Sequence, residues 1–262
     1  MMKFANGITR KPCKALVDGL TDNPQLGKVE YEKALEQHAK YVQVLKDTGM
    51  KVEELEAIDE LPDSCFVEDT FILTSEVAIM MRPATAQRFP ETAALLDTIK
   101  KYYPEDRIEY IEGPGTVEGG DVIMADNHFF IGVSARSTKE GGEELIAILE
   151  KYGHTGELVE LKETLHLGSV VNYLENNVML VGGEFVGTDR FSDYQVIEVP
   201  EEEEYAGNSL WLNGIVIVPT GYPKTKKLIE DAGYETVEVD SSEYRKVDGS
   251  LTCLSLRFTS LK

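Results

Sequence analysis

The sequence is poor in cysteine and has no long apolar run. Only three of its 262 residues are cysteine (Cys13, Cys65 and Cys253). They are too few and too scattered for a disulfide framework, and no Cys-x-x-Cys pair indicates structural zinc. No apolar run approaches the roughly 18 residues that a membrane helix requires, and residues 1–7 lack the apolar core of a signal peptide. We therefore expect a cytoplasmic protein with free thiols and no membrane partner.

Positive charge is also scarce, because 26 lysines and arginines face 47 aspartates and glutamates, a formal net charge of −21. Such a field repels nucleic acid and anionic membranes, so neither is expected as a partner. It attracts cationic small molecules, although a well-solvated acidic surface accounts for most of the charge by itself. The length permits one large domain or two small ones. Since no linker divides the chain, we expect a single domain over residues 1–262.

The sequence does contain a repeated pattern with a period of about 40–50 residues, which is typical of repeat and propeller architectures. Each copy has a polar or acidic segment, an apolar run, a polar turn, a second apolar run and then a helix. Copies begin near residues 66, 118, 165 and 208, and helices are expected near 90–103, 139–152 and 222–232, with a less regular region near 187–195. Asn213-Gly214 is the strongest hairpin signal in the chain.

A fifth copy begins at Cys253, but the chain ends soon after Phe258. The N-terminal segment can supply the missing half, with a strand expected over residues 8–18 around Ala15-Leu16-Val17 and a helix over residues 29–48. We therefore predict an α/β fold in which five hairpin-plus-helix units form a ring closed by the N- and C-terminal strands. Closure removes exposed sheet edges and brings the polar segments together at one face.

Cys253 follows the turn Asp248-Gly249 at the start of a predicted strand, where a thiol is either a small core residue or a nucleophile. In the predicted ring it converges with His166, Glu118 and the pair Glu68-Asp69. A cysteine beside a histidine performs nucleophilic catalysis, and a carboxylate on that histidine fixes its tautomer. Further carboxylates would raise the pKa of the thiol and repel an oxyanion. They suit a cationic electrophile such as a guanidinium, which a carboxylate grips with paired hydrogen bonds.

Four motifs resemble those of the dimethylarginine dimethylaminohydrolase family, in the guanidine-modifying (arginine deiminase) superfamily. They are Phe66-Val67-Glu68-Asp69, Glu118-Gly119-Gly120-Asp121-Val122, Leu165-His166-Leu167 with Ser169, and Lys246-Val247-Asp248-Gly249 with Leu251-Thr252-Cys253. The resemblance spans nearly the whole chain and implies a five-bladed, pseudo-symmetric α/β propeller of ββαβ modules. It also implies a cofactor-free hydrolase that converts Nω-methylated arginine to citrulline and methylamine or dimethylamine through a covalent S-alkylthiouronium intermediate.

The resemblance extends to individual residues. Cys253 resembles the family's nucleophile, His166 its general acid/base, and Glu118 the carboxylate that orients the histidine. The implied substrate-binding set is Glu68 and Asp69 for the guanidinium, Arg82 and Arg136 for the α-carboxylate, and Asp63 and the Val247 carbonyl for the amino end. Since neighbours on a strand point to opposite faces, we expect Asp69 to make the direct guanidinium contact. Residues 18–26 resemble a lid with no assigned contact, and no metal is expected, because the spacing of Cys253 and His166 does not require one.

Other functions stay open at this point. Within the superfamily, the chain could be an arginine deiminase-like or citrulline-cleaving hydrolase, or an amidinotransferase, although those relatives are longer. From a different class, it could be a catalytically silent protein that binds cationic amino acids, or an interaction module with an unreactive Cys253. Turnover of methylated arginine to citrulline would separate the enzyme from the silent protein. A homodimer is left open.

Overall fold

A computed structural model describes residues 3–261 of the chain, which form fifteen β-strands and five α-helices. The strands, β1 to β15, are Asn6–Arg10, Lys51–Leu55, Phe71–Leu73, Ala78–Met80, Ile108–Tyr110, Val122–Ala125, His128–Val133, Thr155–Glu160, Val171–Tyr173, Val178–Val181, Gln195–Glu198, Leu210–Leu212, Ile215–Pro219, Glu235–Val239 and Leu256–Phe258. The helices, α1 to α5, are Tyr31–Asp47, Phe89–Ile99, Lys139–Lys151, Pro223–Asp231 and Ser242–Arg245. No helix in residues 3–261 is both long and apolar enough to cross a bilayer.

The strands form five sheets of three strands with one shared topology. In each sheet the central strand pairs antiparallel with a first strand and parallel with a third. In this sense the sheets are β3-β4-β5, β6-β7-β8, β9-β10-β11, β12-β13-β14 and β15-β1-β2. Antiparallel pairs need a short turn, whereas parallel pairs need a crossover, usually a helix. The repeated pattern in the sequence is therefore a repeated α/β module, as predicted.

The fifth module joins the two ends of the chain. Ile8 of β1 pairs antiparallel with Leu256 of β15, and β1 also pairs parallel with β2. The predicted location of this N-terminal strand was wrong, because residues 15–17 lie in a 3-10 helix, Lys14–Asp18, and the strand lies earlier. Pro12 lacks a backbone N–H and so interrupts the strand pairing, and of the 3-10 helix only Leu16 is buried.

Helices cross over between the central and third strands in four of the five modules. The predicted helices near 29–48, 90–103, 139–152 and 222–232 correspond to α1 to α4, with small differences at their ends. The region near 187–195 contains no helix, and the third module has a 3-10 helix at Gly183–Phe185 instead. Buried apolar side chains fill the space between each sheet and its neighbours.

The polar segments of the repeat are short 3-10 turns that precede the first strand of each module. These five turns are Val67–Thr70, Gly119–Asp121, Leu167–Ser169, Glu201–Gly207 and Thr252–Leu254. The copies that begin near residues 66 and 118 therefore start with a turn before the first strand, and Cys253 lies on such a turn rather than at the start of a strand. Most residues of these turns are buried, as are most residues of the strands that follow them.

The Asn213-Gly214 hairpin turn also secures the N-terminal segment. Both residues have positive φ, 50° and 110°. The Asn213 side chain accepts a hydrogen bond from the Phe4 N–H at 2.8 Å and donates one to the Phe4 carbonyl at 2.9 Å. This residue therefore couples the fourth module to the strand that completes the fifth.

Two substitutions at Asn213 separate these contributions to stability. Asn213→Gly keeps the positive φ and loses the side-chain bonds, so we expect the free energy of unfolding to fall by about 1–2 kcal/mol. Asn213→Ala also loses the side-chain bonds, and it places alanine in the left-handed region, where its backbone is strained. The free energy of unfolding should therefore fall by about 1 kcal/mol more than in Asn213→Gly. Urea denaturation measures both values. Equal losses in the two variants would show that the left-handed backbone is not part of what asparagine provides.

Candidate functional site

Hydrogen bonds link the five 3-10 turns into a closed circuit, which positions the site. The Gly120 N–H donates to Asp69 (2.9 Å), the Leu167 N–H to Asp121 (2.9 Å), the Asn208 amide to the Gly168 carbonyl (2.7 Å) and to the Thr252 hydroxyl (3.0 Å), and the Thr252 hydroxyl to Glu68 (2.6 Å). The circuit passes through the modules in chain order and returns to the first. The polar residues of the sequence motifs thus satisfy the backbone groups of neighbouring turns.

The glycines of the second motif permit this close approach. A Cβ atom at Gly119 would lie 2.0 Å from the Glu68 carbonyl oxygen, and one at Gly120 would lie 2.7 Å from Nδ1 of His166. Neither glycine has a positive φ. The requirement for glycine is therefore one of space between two turns, and not one of backbone conformation.

One cavity of about 40 Å³ brings together most of the residues singled out from the sequence. Its lining includes six of them: Cys253, His166, Asp69, Asp63, Arg136 and Val247. Glu118 lies directly behind His166 and is fully buried. Glu68 and Arg82 line other cavities. Leu20, Phe66, Arg88, Leu165, Asp248 and Gly249 complete the lining and were not predicted as site residues.

Cys253 is partly buried at the centre of the 3-10 turn Thr252–Leu254, with its Sγ 3.3 Å from the Ser250 hydroxyl. Burial, together with the negative charges of Glu68 and Asp69, raises the pKa of the thiol to about 12. The resting residue is therefore a neutral thiol at physiological pH. By contrast, Cys65, which directly precedes the first motif, is 1% exposed.

His166 is held by Glu118 through a hydrogen bond of 2.8 Å between Nε2 and the carboxylate. The other Glu118 oxygen accepts from the Ala84 N–H at 3.0 Å, so the carboxylate is fixed on both sides. Burial lowers the pKa of His166, but the charges of Asp121, Glu118 and Asp69 outweigh it and raise the pKa to about 9. The imidazole is therefore protonated at neutral pH and can act as an acid.

Asp69 forms a buried ion pair with Arg88, an arginine that was not predicted as a site residue. Arg88 donates from Nη1 to Asp69 at 2.8 Å and from Nε to Glu91 at 2.9 Å, and all three side chains are buried. Burial opposes ionisation of Asp69, but Arg88 and His166 outweigh it and lower its pKa. A signal was available, since Arg88 immediately precedes helix α2, and a cation is unfavourable at a helix N-terminus unless an acidic partner compensates.

The two arginines predicted to bind a carboxylate lie in different places. Arg136 lines the cavity with Cys253, and its Nη1 lies 4.0 Å from Glu118. The structure does not bring Arg82 there, because backbone pairing with Val117 directs its side chain to a separate cavity, where its guanidinium lies 5.5 Å from the Phe89 ring centroid. Arg88, six residues later, lines the cavity of Cys253 in place of Arg82.

Glu68 also departs from its expected position. Its two oxygens accept hydrogen bonds from the Arg257 guanidinium at 2.8 Å and from the Thr252 hydroxyl at 2.6 Å. It lines a cavity of about 130 Å³ that does not include Cys253. Glu68 and Asp69 were expected to alternate along a strand, and on the 3-10 turn they still diverge. Only Asp69 faces the thiol cavity.

The remaining predicted contacts lie beside the loop that resembles a lid. The Leu20 N–H donates to Asp63 at 3.3 Å, and Leu20 itself lines the cavity. Asp248 accepts hydrogen bonds from the Asp22 N–H and from the Asn23 amide. Two carboxylates of the cavity lining, Asp63 and Asp248, therefore hold this loop beside the cavity.

Among the described residues, one group of carboxylates and histidine is close enough to hold a metal ion, namely Asp69, Glu118 and His166, whose ligand atoms lie within 4.8 Å of one another. The hydrogen bond between His166 and Glu118 already uses two of these donors. Arg88 places a fixed positive charge against the third. The group is better described as a charge-paired network than as a metal centre.

Comparisons with known proteins identify relatives over nearly the whole chain. The family model for eukaryotic N,N dimethylarginine dimethylhydrolase matches residues 21–256. The N(G),N(G)-dimethylarginine dimethylaminohydrolase of Pseudomonas aeruginosa is 48% identical over 255 residues, 97% of this chain and 100% of that protein. A solved structure of the P. aeruginosa enzyme, a cysteine-to-serine mutant complexed with citrulline, has a TM-score of 0.95 at 47% identity and covers 98% of this chain and 100% of that one.

A more distant solved structure shows the same fold. The N-terminal domain of ArgZ, a cyanobacterial arginine dihydrolase, has a TM-score of 0.85 at 18% identity and covers 99% of this chain and 98% of that one. At this identity the likeness is one of fold alone. It fits the α/β class and the five-module arrangement described above.

The contact of Gly119 with Glu68 can be tested by a matched pair of alanine substitutions. Gly119→Ala must push apart two backbone turns, and overpacking of this kind lowers the free energy of unfolding by about 1–3 kcal/mol. Gly182→Ala is the control, because a Cβ there meets no atom closer than 3.4 Å. Urea denaturation of both variants measures the difference. A loss at Gly182 as large as that at Gly119 would argue against the close approach.

Proposed function

The chain belongs to the dimethylarginine dimethylaminohydrolase family, and we propose that it hydrolyses Nω-methylated arginine to citrulline and methylamine or dimethylamine. The observation that carries this proposal is the shared cavity of a thiol (Cys253), a carboxylate-held imidazole (His166), a buried carboxylate (Asp69) and two arginines (Arg88 and Arg136). The thiol and imidazole supply the chemistry of C–N cleavage. The carboxylate suits a guanidinium, and the arginines suit the carboxylate of an amino acid.

The acceptor capacity of Asp69 supports the choice of a guanidinium. Each of its oxygens accepts one hydrogen bond, from Gly120 on one side and from Arg88 on the other. A carboxylate oxygen has two lone pairs, so each retains one for a substrate N–H group. The relative from P. aeruginosa is named for a dimethylated arginine, and its structure holds citrulline, which is the amino-acid product of this reaction.

The first half of the reaction begins with the neutral thiol. A bound guanidinium places a positive charge beside Cys253 and offsets the charges that raise its pKa, so the thiol releases its proton to solvent and the thiolate forms on substrate binding. The thiolate attacks the guanidinium carbon, and protonated His166 donates its proton to the nitrogen of the leaving amine. The C–N bond breaks, the methylated amine departs, and an S-alkylthiouronium group remains on Cys253.

The second half restores the enzyme. Neutral His166 takes a proton from water, whose oxygen attacks the thiouronium carbon. The C–S bond then breaks, the hydroxyl proton of the intermediate passes to the departing thiolate, and the ureido group of citrulline and the neutral thiol of Cys253 form. Glu118 keeps the imidazole in one orientation through both steps and stabilises its charged form.

The circuit of hydrogen bonds between the turns supports a finer description of the fold. We infer a single-domain, five-bladed propeller, because contacts run from each module to the next and from β15 of the fifth module back to β3 of the first. The three free cysteines of the described residues agree with a reducing, cytoplasmic location. A homodimer stays a prediction.

A product-resolved assay tests the proposed reaction. Arginine, Nω-monomethylarginine, asymmetric dimethylarginine and citrulline are incubated separately with the protein, and citrulline, ornithine, ammonia and the methylated amines are quantified. We expect citrulline and methylamines from the methylated substrates. Ammonia from arginine alone would indicate an arginine deiminase-like enzyme, and binding without products would indicate a silent amino-acid-binding protein.

The raised pKa of Cys253 predicts an unusual pH dependence of its reactivity in the free protein. With a pKa of about 12, the thiolate fraction rises about tenfold for each pH unit between pH 7 and 10, whereas an ordinary thiol with a pKa of about 8.5 levels off near pH 9. Alkylation by iodoacetamide, followed by intact mass spectrometry, measures this rate. Cys253→Ser is the control for labelling of the other cysteines and should abolish turnover. A plateau in the alkylation rate below pH 10 would contradict the prediction.

Arg136 and Arg82 form a matched pair that tests carboxylate binding. Arg136→Ala removes a charge-assisted hydrogen bond worth about 1.5–3 kcal/mol, so the KM for methylated arginine should rise on the order of 10- to 100-fold. The KM for a methylated alkylguanidine without a carboxylate should change far less. Arg82→Ala, in the separate cavity, should leave both values unchanged. Equal effects of Arg136→Ala on the two substrates would remove its proposed role.

A further inference from the structure

Arg257 makes a set of hydrogen bonds to the nucleophile turn that the reaction above does not use. From β15, its Nη1 donates to the carbonyl oxygens of Thr252 (2.8 Å) and Ser255 (2.7 Å) and lies 2.9 Å from the Ser255 hydroxyl. Its Nη2 donates to Glu68 at 2.8 Å. The guanidinium therefore bonds to the residue immediately before Cys253 and to the residue two positions after it.

Glu68 completes the arrangement from the first module. It accepts the Thr252 hydroxyl at 2.6 Å with one oxygen and the Arg257 guanidinium with the other. Thr252 is thus held by its hydroxyl and by its carbonyl at the same time. Since both side chains of the ion pair are largely buried, at 15% and 13% exposure, the pair is weakly screened by solvent.

The Arg257–Glu68 pair also sets the charge near the thiol. Glu68 is one of the carboxylates that oppose ionisation of Cys253. If Arg257 were neutral, the Glu68 charge would be uncompensated in a buried site, and the thiolate would be harder to form. Position and charge at Cys253 therefore depend on the same guanidinium.

We propose that Arg257 is a positioning residue for the nucleophile, which clamps the turn Thr252–Leu254 to Glu68 and neutralises that carboxylate. It lines the cavity of about 130 Å³ on the Glu68 side and does not line the cavity of Cys253, so it acts through the turn and not by touching substrate. This role rests on the proposed function for its effect on turnover. Its effect on the thiol is independent of the substrate.

The test compares Arg257→Met with Arg10→Met. Arg10 is the matched control, because it lies on β1 of the same sheet and also donates to backbone carbonyls, those of Glu56 and Ala94, away from Cys253. We expect Arg257→Met to lower kcat on the order of 100-fold, as small displacements of a reacting group do, with a smaller change in KM. In Arg257→Met, the rate at which iodoacetamide alkylates Cys253 should be lower than in the wild type across pH 7–10. Arg10→Met should lower stability without either change.

Two further variants separate positioning from charge. Arg257→Lys retains the charge and should recover part of the alkylation rate, and Glu68→Gln combined with Arg257→Met should recover part of it by removing the uncompensated carboxylate. If Arg257→Met does not fold, Arg257→Gln takes its place. Wild-type kcat and alkylation in a folded Met or Gln variant, or equal losses in Arg10→Met, would overturn the proposal. A change in alkylation without turnover of methylated arginine in the wild type would refute the proposed function and leave this inference intact.

Discussion

The site depends on one constraint, that the backbone groups of five buried turns must find hydrogen-bond partners in one another. A turn is not part of a strand ladder, so its N–H and carbonyl groups would otherwise be unsatisfied in a buried place. Asp69 and Asp121 meet this requirement by accepting from the backbone of the next turn, and Asn208 bonds to the backbone of the turns on both sides of it. The same bonds fix the distances between the motifs. His166 lies immediately before one of these turns and Cys253 lies within another. The bonds between the turns therefore also position these two side chains.

Much of this arrangement could be predicted from the sequence. The repeat predicted an α/β fold of five modules. The fifth module was predicted from the joining of Phe258 to the N-terminal segment, because pairing rules limit how a half-module can be completed. The position of the first strand was wrong, since the apolar run Ala15-Leu16-Val17 looks like a strand and Asn6–Arg10 does not. Short apolar runs do not distinguish a strand from a helical turn. Pro12, which has no backbone N–H for strand pairing, was the better evidence, because it indicates that the strand ends before residue 12.

The error between Arg82 and Arg88 has a different origin. Both arginines lie within a few residues of each other, and sequence alone shows neither which side of a turn each faces nor which acidic residues surround it. Arg88 contacts Asp69 and Glu91 because it lies immediately before helix α2. The first turn of this helix contains Glu91 and lies next to the turn that carries Asp69. This contact joins residues about twenty apart. Local patterns cannot supply it, although the unfavourable place of a cation at a helix start points to a buried acidic partner.

Charge balance explains why so many ionised groups surround a neutral thiol. Asp69 is paired with Arg88, Glu68 with Arg257, and Glu118 with His166, so these three carboxylates are each paired with a cation before any substrate arrives. A guanidinium that enters this network brings one unpaired positive charge. Ionisation of Cys253, the neutral thiol that lines the same cavity, would balance this charge. A neutral substrate of similar shape would bring no such charge, and the thiol would stay protonated. Selectivity for a cation would therefore include this coupling between the charge of the substrate and the ionisation of the thiol.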